Sequence, residues 1–421
     1  MAAAIPSIEP VSRLHIAPLE PAGFDDRHDR IRSLGALSQQ AQSRVKDFID
    51  LSKRGLPRMF TSGYFVHTVR SVATPTGTVM QLEGDNLRYA ATCALGLACV
   101  DVEMQRRILG GSTAADLALS TVARAERVTN DPGVVALAAW AAAEAADHYA
   151  ARLFEKLENI FATNQPLATV DCGWTLIAAV AALHLADTAS LAKKAKDLLI
   201  AYQGALGLFP HMLPPRSAVK LRAHVGSFAD QVYPMQGLAR YSVAMEDPAA
   251  LQAANACGDR ICNLQGPAGQ WWWHYDARHG TVVEGYPVYS VHQHGMGPMA
   301  LLDLRDAGGA DHLRSIVSGL EWIDRHPEVS GSMIDEQENV IWRKAGRREP
   351  RKVVRVVSAL TTATHPGMKL PGLDTIFPPN QLDRECRPYE LGWLIYAWLG
   401  SGIVQRLRPG SCEAESGAKT V

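Results

Sequence analysis

Between residues 271 and 294 the sequence concentrates side chains that bind ligands or move protons. There are three consecutive tryptophans (Trp271, Trp272, Trp273), four histidines (His274, His279, His292, His294) and three tyrosines (Tyr275, Tyr286, Tyr289). Consecutive tryptophans cannot all face one core, because side chains alternate along a strand and rotate around a helix, so at least one is expected to line a cavity. An aromatic face there can stack on the C–H face of a sugar or on a cation. Tyr275 and Tyr289, with Arg278 and His292 or His294, supply what proton abstraction beside a carboxylate requires. These are a base on one face, an acid on the other, and positive charge for the carboxylate as enolate charge develops. A tyrosine, with an ordinary pKa of about 10, needs nearby cations to act as a base at neutrality. Arg278, His274 and His279 are close to Tyr275 in sequence. If the C4 oxygen leaves instead, the same set makes a lyase.

Further candidates stand at the starts of apolar helical segments: Asp85, then Asp171 with Trp174, Asp230 with Tyr233, Glu284 with Tyr286, and Tyr389 with Glu390. An acid, an aromatic and a Gly or Pro recur at these places. Asp at a helix start also caps backbone N–H groups, and Pro suits the first turn. Together, though, these residues are expected to ring one substrate-binding mouth. A hydrolase would need two carboxylates about 5 to 10 Å apart, for which Glu284, Asp230, Asp171 and Asp85 are the candidates. His292-x-His294 and the His274/His279 pair raise metal binding. Residues i and i+2 share a face only in an extended segment, and neither a metal site nor a cofactor is predicted.

The elements that must position these groups are helices. Segments such as 37–51, 114–127 and 189–202 carry apolar residues at three- and four-residue spacing with charge opposite, so each has one wet side. Between them lie segments apolar nearly all round: 86–101, 132–146, 172–186, 233–243, 296–304 and 391–399. The wet helices are expected to start near 36, 112, 147, 188, 248 and 310, the dry ones near 86, 131, 171, 229, 291 and 388. Six helical hairpins in strict alternation predict an all-α fold, an (α/α)6 toroid with the dry helices inside. An open solenoid of the same hairpins is the alternative. The domain reading is an irregular N-terminal extension (1–30), the toroid (31–404) and a flexible tail (405–421). An insertion at 327–387 carries a basic run, 343–352, that is either a solvated face or a lid.

Composition sets the frame. The 421 residues carry 42 Lys+Arg against 43 Asp+Glu, with 47% hydrophobic residues. A net charge of −1 gives no field for gathering phosphate backbone, and nucleic acid is not expected as a partner. The longest apolar stretches, 134–143 and 176–185, fall short of the roughly 20 residues of a membrane span. No signal peptide is apparent. Seven scattered cysteines without a C-x-x-C pair fit a reducing, cytoplasmic setting.

The block Tyr275-Asp276-Ala277-Arg278-His279, followed by Tyr289 and His292-Gln293-His294, resembles the C-terminal toroid domain of D-glucuronyl C5-epimerases. The likeness covers roughly 25 of the 421 residues, and the Tyr-to-Tyr spacing here is shorter. More loosely, the layout looks like the wider group of α/α toroid carbohydrate-active enzymes: uronate epimerases, polysaccharide lyases and six-hairpin glycosidases. The resemblance implies proton transfer at C5 by Tyr275 and Tyr289. Gln265-x-x-x-Gly269-x-Trp271 is similar to the repeat of squalene-type cyclases, although it occurs once and the acidic Asp-x-Asp-Asp of that family is absent. The resulting expectation is an epimerase or lyase acting on a uronate-containing poly- or oligosaccharide. Tyr275, Tyr289, His292, His294 and Arg278 would be catalytic. Substrate would be held by Trp271, Trp272, Trp273, His274, Asp230, Tyr233, Glu284, Tyr286, Asp171, Trp174, Asp85, Tyr389 and Glu390. A terpene-cyclase-like enzyme and a non-catalytic glycan- or peptide-binding toroid are the alternatives.

Overall fold

The computed structural model describes residues 29–409 apart from 76, 164 and 216–221. The expected N-terminal lead-in through residue 28, the tail from residue 410 and Cys412 lie outside the described residues. The chain begins with α1 (Arg30–Leu37), α2 (Gln39–Met59), α3 (Leu87–Leu97), α4 (Val102–Ile108), α5 (Ala114–Val128) and α6 (Pro132–Ala146). There follow α7 (Ala151–Ala162), α8 (Thr169–Ala181), α9 (Ala189–Tyr202), α10 (Ala229–Ala244) and α11 (Pro248–Asn263). A π-helical turn (His292–Met296) then opens α12 (Gly297–Asp306), before α13 (Leu313–Arg325), α14 (Val353–Thr364), α15 (Leu373–Ile376) and α16 (Pro388–Leu399).

Six of these helices form an inner ring, in which α3, α6, α8, α10, α12 and α16 pack successively and α16 closes back onto α3. The outer partners are α2, α5, α7, α9, α11 and α13. The chain is an all-α (α/α)6 toroid, and eleven of its twelve ring helices start within four residues of the places expected, the twelfth, α12, being preceded by the π turn that starts at His292. Sequence dictates which ring each joins. α6 reads Pro-Gly-Val-Val-Ala-Leu-Ala-Ala-Trp-Ala-Ala-Ala from an Asp131 N-cap, and Val135 to Ala143 are buried on every side. α13 is apolar on one side only, burying Ile316, Gly319, Leu320, Trp322 and Ile323. Closure depends on small residues: a Cβ on Gly96 of α3 would overlap the carbonyl of Gly392 on α16.

Two expectations change. The helix read over 86–101 stops at Leu97, and a new helix starts where Asp101 caps the Met104 N–H. The inner-helix approaches also contain short strands, including the hairpin Thr68–Thr74/Gly77–Glu83 and the three-stranded set Val225–Ser227, His274–Asp276 and Thr281–Glu284. Each strand lies between an outer helix and the inner helix that follows, so the strands wall the end of the ring where inner helices begin. The insertion contributes α14, α15 and further short strands there. Residues 405–407, read as part of a flexible tail, form one 3-10 turn.

The opposite end, where inner helices finish, is sealed by buried charge. Arg30 of α1 donates to Asp303, to Asp306 at 2.8 Å and to the Ala397 carbonyl at 2.8 Å. Arg240 donates to Asp303 at 2.7 Å, Glu144 at 3.0 Å and the Tyr396 hydroxyl at 2.7 Å. The six described cysteines are all free. No helix among the described residues is long and apolar enough to cross a membrane.

Candidate active site

The first turns of the inner helices share one mouth, and contacts run around it without a break. Arg88 of α3 reaches Asp131, the N-cap of α6, at 2.6 Å. Tyr89 is stacked between His67, 5.4 Å away, and Tyr389 of α16, 4.6 Å away between ring centres. Trp174 of α8 meets Tyr233 of α10 edge-on at 4.9 Å, and Tyr233 lies 6.0 Å from Trp393 of α16. Tyr289 and His292, at the π turn, are 5.0 Å apart, and His292 stacks on Phe228 at 4.3 Å. A π turn costs helical hydrogen bonding and is often found where side chains are aimed at a site.

Three carboxylates occupy the arc formed by α6, α8 and α10. Asp230 is fully buried and accepts from the Ser227 N–H and Oγ, both at 2.7 Å, and from His211 at 3.1 Å. The hydrogen bond and charge of Asp230 raise the His211 pKa. Burial pushes the Asp131 carboxyl up, but the Val134 N–H and the Arg88 guanidinium outweigh it and hold it below its ordinary value. Asp171 differs from both. Its carboxylate makes no hydrogen bond among the described residues, and burial pushes its pKa to about 6. Arg88 and His211 pull it down while the like charges of Asp131 and Asp230 hold it up. It lies against Gly133 of α6, where any Cβ would overlap Asp171 Oδ1.

The opposite arc is cationic. Arg343 covers the Tyr289 ring at 5.0 Å and comes within 3.4 Å of Glu390. Arg387 donates to the Tyr89 hydroxyl at 2.8 Å. Arg355 of α14 lies 3.6 Å from the centre of Trp273, which stacks in turn on His274 at 4.2 Å. Burial lifts Glu390 to about 7 although Arg343 and Arg387 draw it down.

The mouth therefore gathers Asp171, Trp174, Asp230, Tyr233, Trp273, Tyr289, His292, Tyr389 and Glu390 from the expected set. Others are placed elsewhere. Tyr275 is fully buried, its hydroxyl accepting the Trp272 N–H at 3.1 Å, and burial drives its pKa well above the usual tyrosine value. The expected partnership of Tyr275 with Tyr289 is not formed. Arg278 and His279 both turn to Asp276, whose carboxylate also takes the N–H groups of Arg278 and His279. The Tyr-Asp-x-Arg-His block thus staples a strand-connecting turn. His294 points into the core against Phe48, with both ring nitrogens unpartnered and its pKa lowered to about 3 by burial. It does not share a ligand position with His292, and no cluster placed to hold a metal ion occurs among the described residues.

Trp271 is fully buried beside Phe228, and Trp272 is tied to the Leu264 carbonyl. Gln265 bonds the carbonyls of Gly269 and Ser315, so the cyclase-like repeat closes a turn. His274 is buried beneath Trp273. Glu284 accepts from Ser358 of α14 at 2.9 Å and Arg347 at 3.2 Å, anchoring the insertion, and Tyr286 donates to Glu328. Asp85 pairs with Arg124 just outside the mouth.

Arg88, Asp131, Gly133, His211, Arg355 and Arg387 carried no expectation from the sequence, and Arg343 only that of the basic run 343–352. One cue was present for two of them. Arg88 and Arg387 stand at helix starts, where the helix dipole disfavours cations, so each must answer a nearby acceptor.

No family model matches the sequence, and no curated protein matches it significantly. Several solved structures share its fold. An unsaturated glucuronyl hydrolase specific for heparin aligns with a TM-score of 0.54 at 11% identity, over 87% of this chain and 99% of that one. A possible member of the GH105 family from Klebsiella pneumoniae subsp. pneumoniae MGH 78578 aligns at 0.52 and 11% identity, over 96% and 100%. An unsaturated glucuronyl hydrolase from Bacillus sp. GL1 aligns at 0.50 and 13% identity, over 88% and 97%. At such identities the likeness establishes the shared fold.

Proposed function

We propose that this protein is a carbohydrate-active enzyme that hydrolyses the glycosidic bond of a uronate-type sugar, with Asp171 as proton donor. The observation that supports it is the division of labour among the mouth carboxylates. Asp171 is desolvated and poised at about 6, whereas Asp230 is held by Ser227 and His211. A carboxyl group that can keep its proton, beside a second carboxyl fixed by hydrogen bonds, is what acid-assisted bond cleavage needs. Asp171 protonates the leaving oxygen while water attacks the anomeric carbon, and Asp230, whose carboxylate has no exposed surface, orients His211 beside the site. Trp174 and Tyr233 floor the site, Trp273 offers a stacking face, and Arg343 and Arg387 receive the substrate carboxylate. The glucuronyl hydrolases of the same fold act on substrates of this class.

A second reading keeps the proton-transfer chemistry expected from sequence. Tyr289 stands at the mouth with Arg343 at 5.0 Å and Lys344 at 5.7 Å from its ring centre, placed to meet a substrate carboxylate that these cations would hold. Inversion at C5 needs proton carriers on both faces, and Tyr275 is withdrawn into the core. Tyr289 acting alone suits elimination better than epimerisation. Saturated and 4,5-unsaturated hexuronate oligosaccharides incubated in ¹⁸O-water discriminate the readings. Label in the newly released reducing end supports hydrolysis, and a new conjugated double bond supports elimination. Binding with neither product leaves the toroid a glycan-binding protein.

A further inference from the structure

Beside the mouth lies a cleft of about 730 Å³ lined in part by Tyr64, Leu82, Gly84, Asp85 and Arg124. We propose that it is an extension subsite for a neutral sugar, taking the next residues of a chain whose anionic end occupies the mouth. The proposal rests on the reading of the mouth given above.

Four observations carry it. The volume falls within the range of small-molecule sites, about 300–1,000 Å³. Its lining has the makeup that sugars require. Tyr64 is half-buried, Leu82 is 42% exposed although apolar, and Val66 closes the floor beneath them. Such surfaces match the C–H face of a pyranose. Asp85 and Arg124 form an ion pair at 2.5 Å, with the guanidinium 5.9 Å from the Tyr64 ring centre. An acceptor and a donor fixed side by side can hold vicinal hydroxyls, and their charges cancel, which favours a neutral sugar over an anionic one.

The fourth observation is continuity. Leu82, Gly84 and Asp85 line the cleft, and the same stretch runs through the Asn86 cap into Arg88 and Tyr89, which face the mouth. Gly84, at a φ of +59°, lies against His67, and His67 stacks on Tyr89. A glycan leaving the mouth over Asn86 therefore meets Tyr64 next. Burial lowers the His67 pKa, so its ring is neutral at physiological pH and suits stacking.

The test compares a disaccharide and a tetrasaccharide, each ending in 4,5-unsaturated hexuronate, for binding by calorimetry to Asp171→Asn protein and for turnover by the active chain. Tyr64→Ala should lower the tetrasaccharide-to-disaccharide affinity ratio about tenfold, the loss of one aromatic platform, with Tyr64→Phe restoring it. Thermal melting of both variants controls for folding. A ratio unchanged by Tyr64→Ala overturns the cleft proposal, even if both oligosaccharides are cleaved. Equal binding of the two lengths by unmodified Tyr64 protein overturns it as well. Failure to bind either oligosaccharide overturns the reading of the mouth, and the cleft proposal with it.

Discussion

Replacing Gly133 by alanine should impair the site while leaving the ring folded. Gly133 has no positive φ, so alanine meets no backbone strain there. The methyl would overlap Asp171 Oδ1 and come within 2.9 Å of Arg88 Nη2 and 3.0 Å of Trp174 Cζ3. Non-bonded atoms rest at about 3.5–4.0 Å, so the carboxylate must retreat by about 1 Å and Arg88 by somewhat less. Displacement of that size at a reacting group costs up to about 100-fold in rate. The stability terms oppose each other: overpacking costs about 1–3 kcal/mol, while alanine recovers about 0.5–1 kcal/mol of helix propensity over glycine. The yielding atoms are side-chain ends facing a mouth, which keeps the overpacking at the low end. The expected result is a kcat/KM lowered by one to two orders of magnitude with a melting temperature within a few degrees of the parent. A kcat/KM within twofold of the parent, in a folded variant, refutes the placement of Asp171 at the reacting bond. A loss of activity that merely tracks unfolding refutes the separation of site from scaffold.

Other perturbations follow from the same groups. As proton donor, Asp171 must be protonated, so kcat/KM should fall as pH rises through about 6, and Asp171→Asn should remove both the activity and that limb of the profile. Because its folded pKa lies above the ordinary value, the favourable contribution of Asp171 to stability is complete only at acid pH and is lost as pH rises through about 6. Asp171→Asn should accordingly stabilise the chain by up to about 3 kcal/mol at pH 8 and by about half as much at pH 5, read from urea titrations at the two values. At the sealed end, Arg30→Met leaves Asp303 and Asp306 short of a cation and should cost about 3–5 kcal/mol, read from the urea midpoint. Gly96→Ala drives its methyl into the rigid Gly392 carbonyl and should destabilise the ring far more than Gly133→Ala, as a drop in melting temperature.

The ring was legible because its signals are local and repeated. An all-apolar helix such as α6 has nowhere to go but inside, and a one-sided helix such as α13 can only cover it. The acids at inner-helix starts were legible for the same reason: Asp171 faces the mouth, with Asp230 buried behind His211. Residues 271–279 misled because only His274–Asp276 is strand and a register shift falls between His274 and Tyr275, so no single period orders the side chains. Trp273 reaches the mouth while Trp271 and Tyr275 fill core. Arg278 was expected to clamp a substrate carboxylate with His292 or His294, but two residues from Asp276 it satisfies its own turn before it can serve a ligand. The arginine arc could not be read, since Arg387 meets Tyr89 from 298 residues away and Arg355 arrives on an insertion with no period of its own.

The two ends of the toroid carry opposite electrostatic demands, and the chain answers each differently. Six inner helices point their N-termini at the mouth, each equivalent to about +0.5 charge, and their C-termini at the far end. At the far end Arg30 and Arg240 oppose the negative helix ends and are buried among Asp303, Asp306 and Glu144, which satisfies the dipoles and the carboxylates together. At the mouth the helices already favour anions, yet Arg88, Arg343 and Arg387 add cations there, two of them at helix starts. Folding alone gives no reason for this. The local acids account for part of it, through Asp131, Glu385 and Glu390. The Arg343–Arg387 arc and the helix N-termini are suited to an anionic ligand across the mouth from Asp171, where desolvation keeps a proton available despite six helix dipoles that favour its loss. A neutral substrate would use the acid but waste the arginines. A uronate uses both, so replacing Arg343 by glutamine should raise KM for a uronate substrate while leaving a neutral glycoside of the same linkage, if it is cleaved, at its former rate.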